Sequence, residues 1–278
     1  MGDLPLSTVR KIRRFEAIET EGLTLYPIAV DEFEAFSHAR AAIEFLQQSL
    51  PVALLSKPLL QAYYTLELEA AAKGAESVGQ LYEAIVFLLL ALRAGEDEEK
   101  EKRLERAQIV PRAEDATRLE RITFRLDGGK TVSVTPIQFQ RLRPILAAQN
   151  GIELLSDSAN PDLVQAERDL AEMNAPDLDM KLEAMVAAVA TVSGADEAEI
   201  YRWPILRLML RKDALQRALG YLACSMTSAA GGKWKGGNPI PNPIFARVND
   251  HGGGVVDMQS FAGGAGVRAM QNAGSRVT

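Results

Sequence analysis

Nine consecutive apolar residues, AIVFLLLAL from Ala84 to Leu92, limit what this chain can become. A surface helix keeps one polar face, and this run has none. A helix that spans a membrane needs about 20 such residues, and the run stops well short. The remaining solution is a helix buried on most of its sides. Other elements must then be wrapped around it. The flanking pattern extends it to residues 76–93, with Leu81, Ile85, Leu88 and Leu92 on the inward stripe.

The envelope is legible on either side. Leu23–Val30 (LTLYPIAV) reads as a short strand, and Pro27, which has no N–H to donate, places it at a sheet edge. Asp31 and Glu34 have capping-box spacing. Phe33, Phe36, Ile43, Leu46 and Leu50 follow at helical intervals up to Pro51. A second helix opens at Ser56-Lys57-Pro58, carries Leu59, Leu60, Tyr63 and Tyr64 on one side and closes at Gly74. After Gly95 comes DEEKEKRLERA. Its Glu96–Lys100, Glu98–Lys102 and Glu99–Arg103 spacings suit a solvated helix or charged linker ending at Pro111. Alternating Ile122, Phe124, Leu126 and Val132, Val134 around Asp127-Gly128-Gly129 predict a β-hairpin. Its expected partner is the Leu23–Val30 strand, because an isolated hairpin is marginal. A helix over 137–148 follows.

From Ser156 the pattern is helical throughout. Asn160-Pro161-Asp162 is a helix start. Leu178, Leu182, Met185, Val189 and Val192 form a stripe, and Ser193 with Asp196 repeats the capping spacing. Trp203-Pro204 restarts the axis into Ile205, Leu208, Met209, Lys212, Leu215, Leu219 and Leu222. The composition then changes sharply. Residues 231–278 hold eleven of the chain's 21 glycines, with a Pro/Asn knot at GGNPIPNPIF. Glycine makes such a segment costly to order. The expected class is therefore mainly α with a small antiparallel β element (α+β). The expected layout is a helical domain with the β element over 1–155, a helical domain over 156–230, and a Gly/Pro-rich extended tail over 231–278.

Composition narrows the function. A net charge of −6 lacks the basic footprint of a general nucleic-acid binder. The single cysteine, Cys224, rules out an internal disulfide and a thiolate metal cluster. The N-terminus has no apolar core of a secretory signal. GGKW at Gly231–Trp234 has Trp234 where a phosphate-binding loop needs Ser or Thr. GGAGVRA at Gly263–Ala269 lies too near the chain's end for a dinucleotide fold. His38, His251 and Cys224 belong to unrelated segments and show no third, orienting group. Ala190, Gly194 and Ile200 have helix-turn-helix spacing, yet the recognition helix would turn Asp196, Glu197 and Glu199 toward phosphate. No catalytic, cofactor or metal residue is expected.

Two stretches carry a resemblance: Leu25–Ala70, and GGKWKGGNPIPNPIF at Gly231–Phe245 behind its Met/Leu-rich helix. Together they resemble proteins encoded beside the tape-measure gene of tailed bacteriophages and prophages, regarded as tail assembly chaperones. The likeness covers about a third of the chain, and residues 96–160 have no counterpart in it. It implies a non-enzymatic helical protein in the cytoplasm of the bacterial host, binding the tape-measure protein or a tail subunit during assembly. The alternatives are a structural tail or baseplate component kept in the virion, and a helix-turn-helix DNA-binding protein. Within 231–278, Trp234, Ile240, Ile244 and Phe245 are large apolar groups without helical or strand periodicity. They are the expected partner-docking anchors, held extended by Pro239, Pro241 and Pro243. No nucleic acid or membrane is expected as a partner.

Overall fold

A computed structural model describes residues 4–96, 100–154 and 181–230. Its elements are α1 (Leu6–Arg13), β1 (Ile18–Thr20), β2 (Leu23–Leu25), α2 (Phe33–Glu44), α3 (Leu59–Ala72), α4 (Gln80–Ala91), α5 (Lys100–Leu104), β3 (Ala107–Arg112), β4 (Asp115–Arg125), β5 (Thr131–Val134) and α6 (Pro136–Gln149). After the undescribed stretch 155–180 come α7 (Leu182–Ser193), α8 (Glu197–Tyr201) and α9 (Ile205–Ala229). The fold is α+β, as the sequence predicts, with two small antiparallel sheets.

The apolar run is the centre of the molecule. Every residue from Ala84 to Leu92 is buried, and α4 packs against α2, α3 and α5. Phe87 meets the Phe36 ring of α2 at 5.9 Å between centroids, and Phe36 meets Phe33 at 6.3 Å. Tilted ring pairs of this kind add about 0.5–1.5 kcal/mol beyond area burial. The helix begins at Gln80, four residues later than predicted at 76, because Gly79 holds a left-handed φ of +85° just before it.

Helix α2 is shorter than its apolar spacing suggests. It ends at Glu44, not at Pro51, and short 3-10 turns follow over Gln47–Ser49 and Val52–Leu54. The last carbonyls of a helix need outside donors, and here they come from distant residues. Tyr63 donates its hydroxyl to the Ala42 carbonyl at 2.7 Å. Arg143 of α6 donates Nε to the Ile43 carbonyl at 2.8 Å and Nη2 to that of Phe45 at 2.6 Å. A buried guanidinium at a helix C-terminus also complements the helix dipole. The expected Asp31–Glu34 capping box is absent: residues 30–32 form a 3-10 turn, and no side chain caps α2.

The Leu23–Val30 strand is likewise cut short. Only Leu23–Leu25 pairs, and with Ile18–Thr20, not with the hairpin. Beyond Leu25 the backbone finds partners on helices and at their ends. Tyr26 N donates to the Ala91 carbonyl at 2.7 Å, and Ile28 N donates to Asn150 Oδ1 at 2.8 Å. Val30 N donates to the Trp203 carbonyl, and Ile205 N donates to that of Ile28, both at 2.9 Å. Gln149 adds an Nε2 bond to the Leu25 carbonyl at 3.2 Å. Pro27 fits this path, since the chain there has left the sheet.

The hairpin forms as expected, turning through Asp127–Gly129 with φ near +80° at both glycines. Its third strand is β3, which pairs with β4 so that Ile109, Ile122 and Val134 lie side by side. The charged stretch therefore ends earlier than expected, and Pro111 lies inside a strand, not at a helix stop. It is tolerated because β3 is an edge strand and its register shifts on both sides of Pro111. Leu119, Ile122, Phe124 and Val134 face the core beneath α3.

At the C-terminal side, Val186, Val189, Ile200, Trp203, Ile205 and Leu208 join the same hydrophobic cluster as α4. Gly194, at φ +69°, ends α7, and Asp196 caps α8 by accepting from Ala198 N at 3.0 Å. Helix α9 begins at Ile205 and Leu208, both fully buried, and then leaves the body. The Asn160 start and the segment 231–278 lie outside the described residues.

Candidate functional site

One concave feature that joins ionisable groups is a cleft of about 250 Å3 where α2, α4 and α5 meet. The 3-10 turn Val30–Glu32 contributes Asp31 and Glu32 to its wall, α2 gives Glu34, Ala35 and His38, α4 gives Val86 and Leu89, and α5 gives Arg103 and Leu104. The turn is held in place by the Val30–Trp203 bond and by the bridge between Ala29 and Pro204. The chain around Trp203 thus fixes one wall of the cleft.

Arg103 organises the charges. It is 7 % exposed, donates Nε to the Ala94 carbonyl at 3.0 Å and pairs through Nη2 with Glu32 Oε1 at 2.6 Å. The sequence placed this arginine in a solvated i,i+4 pair; the structure turns it inward. Burial pushes the Asp31 carboxyl above its ordinary range, and neighbouring Glu32 raises it further. Burial also raises Glu83 of α4, while the nearby His38 pulls it back down. The cleft thus holds one satisfied ion pair and one carboxyl, Asp31, that favours its protonated form relative to solvent; Glu83 is shifted the same way but lies outside the lining.

This arrangement is better suited to holding the turn against α4 and α5 than to chemistry. Glu32, the best-placed carboxylate, is already neutralised. His38 is solvent-exposed on α2, and no orienting hydrogen bond to it is seen among the described residues. Cys224 sits half-buried on the outer part of α9 and does not line the cleft. Among the described residues, no three His, Cys, Asp or Glu side chains gather in a metal-binding group. No described helix is long and apolar enough to cross a membrane.

The helix-turn-helix spacing resolves into a tight helical corner. The would-be recognition helix α8 has five residues, its Ile200 is fully buried, and Glu199 accepts from Trp203 Nε1 at 3.2 Å. Its exposed residues, Glu197, Ala198 and Glu199, present a short acidic face, a poor match for the phosphates lining a major groove. The proposed anchors Trp234, Ile240, Ile244 and Phe245, the GGKW motif, the GGAGVRA motif and His251 all lie outside the described residues.

Comparison with protein-family models, curated proteins and solved structures returns no match.

Proposed function

We propose that this chain is a non-enzymatic assembly chaperone for a bacteriophage tail, acting in the cytoplasm of the bacterial host. It engages the tape-measure protein or a tail subunit through Trp234, Ile240, Ile244 and Phe245. One observation carries the reading: α9 leaves the core after Leu208, and its last turns are largely exposed, Met226 at 72 %. The anchor-bearing segment therefore follows a helix end that stands away from the folded body. The resemblance supports the same reading, since its first stretch, Leu25–Ala70, includes α2 and most of α3, which pack around the central helix. Lys233 and Lys235 beside Trp234 favour an acidic partner surface.

The test is co-expression with the large coiled-coil-rich product of the neighbouring reading frame. Wild-type protein co-purifies with it; the Trp234→Ala/Phe245→Ala double variant keeps the wild-type melting temperature and loses the partner. A large fall in melting temperature would mean that the two aromatics cap the protein's own helices. Stoichiometric protein in purified virions, read by mass spectrometry, would overturn the chaperone role in favour of a structural tail component.

A further inference from the structure

The apolar stripe of α9 has a heptad period that outruns the body. Ile205, Lys212, Leu219 and Met226 occupy one set of positions, and Leu208, Leu215, Leu222 and Ala229 the other, in strict 3-4 alternation. This is the seam spacing of paired helices, sustained for about three and a half heptads. The body covers only its start. Ile205 and Leu208 are fully buried, whereas Leu219 is 56 %, Leu222 54 % and Met226 72 % exposed. The flanks of the open part are Gln216, Ala218, Ala223 and Ser225, small or uncharged residues that permit close approach of another helix.

We propose that this open seam pairs with the same seam of a second copy, in antiparallel orientation. Charge decides both the occupant and the direction. Every charged residue of α9 lies in its first half: Arg207, Arg211, Lys212, Asp213 and Arg217. The open part, from Ala218 onward, has none, so a charged partner finds no counter-charge there, while a second uncharged seam fits. Parallel pairing would set Lys212 against its own copy inside the seam, a like-charge contact. Antiparallel pairing that matches the two position sets puts Leu219 against Leu222, Leu215 against Met226 and Lys212 against Ala229 of the other copy. The two lysines are then about 25 Å apart along the axis. Each lies by the C-terminal carbonyls of the facing helix, where a cation is favoured. The segment 231–278 is a poor occupant by charge: its five basic and two acidic residues repeat the positive sign of α9.

Light scattering of the full chain tests the association, with a dimer expected at concentrations on the order of 10 μM. Leu219→Lys/Leu222→Lys should weaken dimerisation by at least about tenfold without lowering the melting temperature of the body. Cross-linking tests the direction. In a Cys224→Ser background, Leu215→Cys and Met226→Cys proteins are oxidised separately and mixed. Antiparallel pairing gives a disulfide dimer in the mixture and none in either protein alone. Disulfide dimers within each single preparation would establish parallel pairing and overturn the proposal. A wild-type monomer at these concentrations would also overturn it. If the lysine variant of that monomer melts lower, the chain covers its own seam, the acidic stretch 155–180 being the candidate.

Discussion

Replacing Arg143 by methionine tests how α2 is terminated. The side chain is 7 % exposed and holds the carbonyls of Ile43 and Phe45, about a hundred residues away in sequence. Methionine keeps much of the buried stem and removes both donors and the charge. Hydrogen bonds from an ionised donor contribute about 1.5–3 kcal/mol each, and the charge at a helix C-terminus adds up to about 2 kcal/mol when partly buried. Against this, the variant no longer desolvates a guanidinium, which returns several kcal/mol. The balance is set by the acceptors. They are backbone carbonyls, so they cannot be replaced along with the arginine, and each pays about 1–3 kcal/mol if left bare. The expected net loss is about 3 kcal/mol. Arg143→Lys keeps the charge but reaches one carbonyl at a time, so it should lose about half as much. Urea melts at constant slope give both values. A loss below about 1 kcal/mol for methionine, or a lysine variant equal to wild type, would refute the capping argument.

Two further outcomes follow from the core and the cleft. Phe36→Ala should cost about 3–5 kcal/mol, since the ring is 1 % exposed between Phe33 and Phe87; His38→Ala, on the exposed face of the same helix, should cost far less in the same denaturant melts, and a larger effect at His38 would give that histidine a specific role. Asp31 in the cleft and Glu83 beside His38 set a pH dependence. Asp31 and Glu83 bind protons more tightly in the folded state than their usual values of 3.8 and 4.5. Their contribution is therefore most favourable below those values and is lost as pH rises through the raised folded ones. Asp31→Asn/Glu83→Gln should be more stable than wild type at pH 7, with the difference shrinking on acidification. A variant less stable at pH 7 would mean that the ionised carboxylates are net stabilising.

What could be read from the sequence was what depends on neighbours. The run Ala84–Leu92, the Asp127-Gly128-Gly129 turn and the Trp203-Pro204 restart each encode their element within a few residues and lie where the sequence placed them, whereas the Ser193–Asp196 capping spacing does not form a box: Ser193 ends α7 and Asp196 alone caps α8. Two of the misjudged elements share another cause. The end of α2 and the path of Tyr26–Val30 are decided by groups that arrive from elsewhere: Arg143, Asn150 and the Ala91 carbonyl; β3 escapes notice for a local reason, since Pro111 reads as a stop although β4 begins three residues after β3 ends. A spacing rule cannot see an acceptor 122 residues away, which is the separation of Ile28 and Asn150. The same holds for the cleft. In a run as charged as DEEKEKRLERA every residue looks solvated, and only Leu104 beside it hints that Arg103 turns inward. Buried polar side chains here act as long-range pins. Asn150 both accepts from Ile28 and donates to Leu146, so it ties the strand exit to the end of α6 in one residue. Such a residue has no apolar periodicity of its own. Its place follows from the unpaired backbone groups that the fold leaves behind, and those are known only once the helices around α4 are packed.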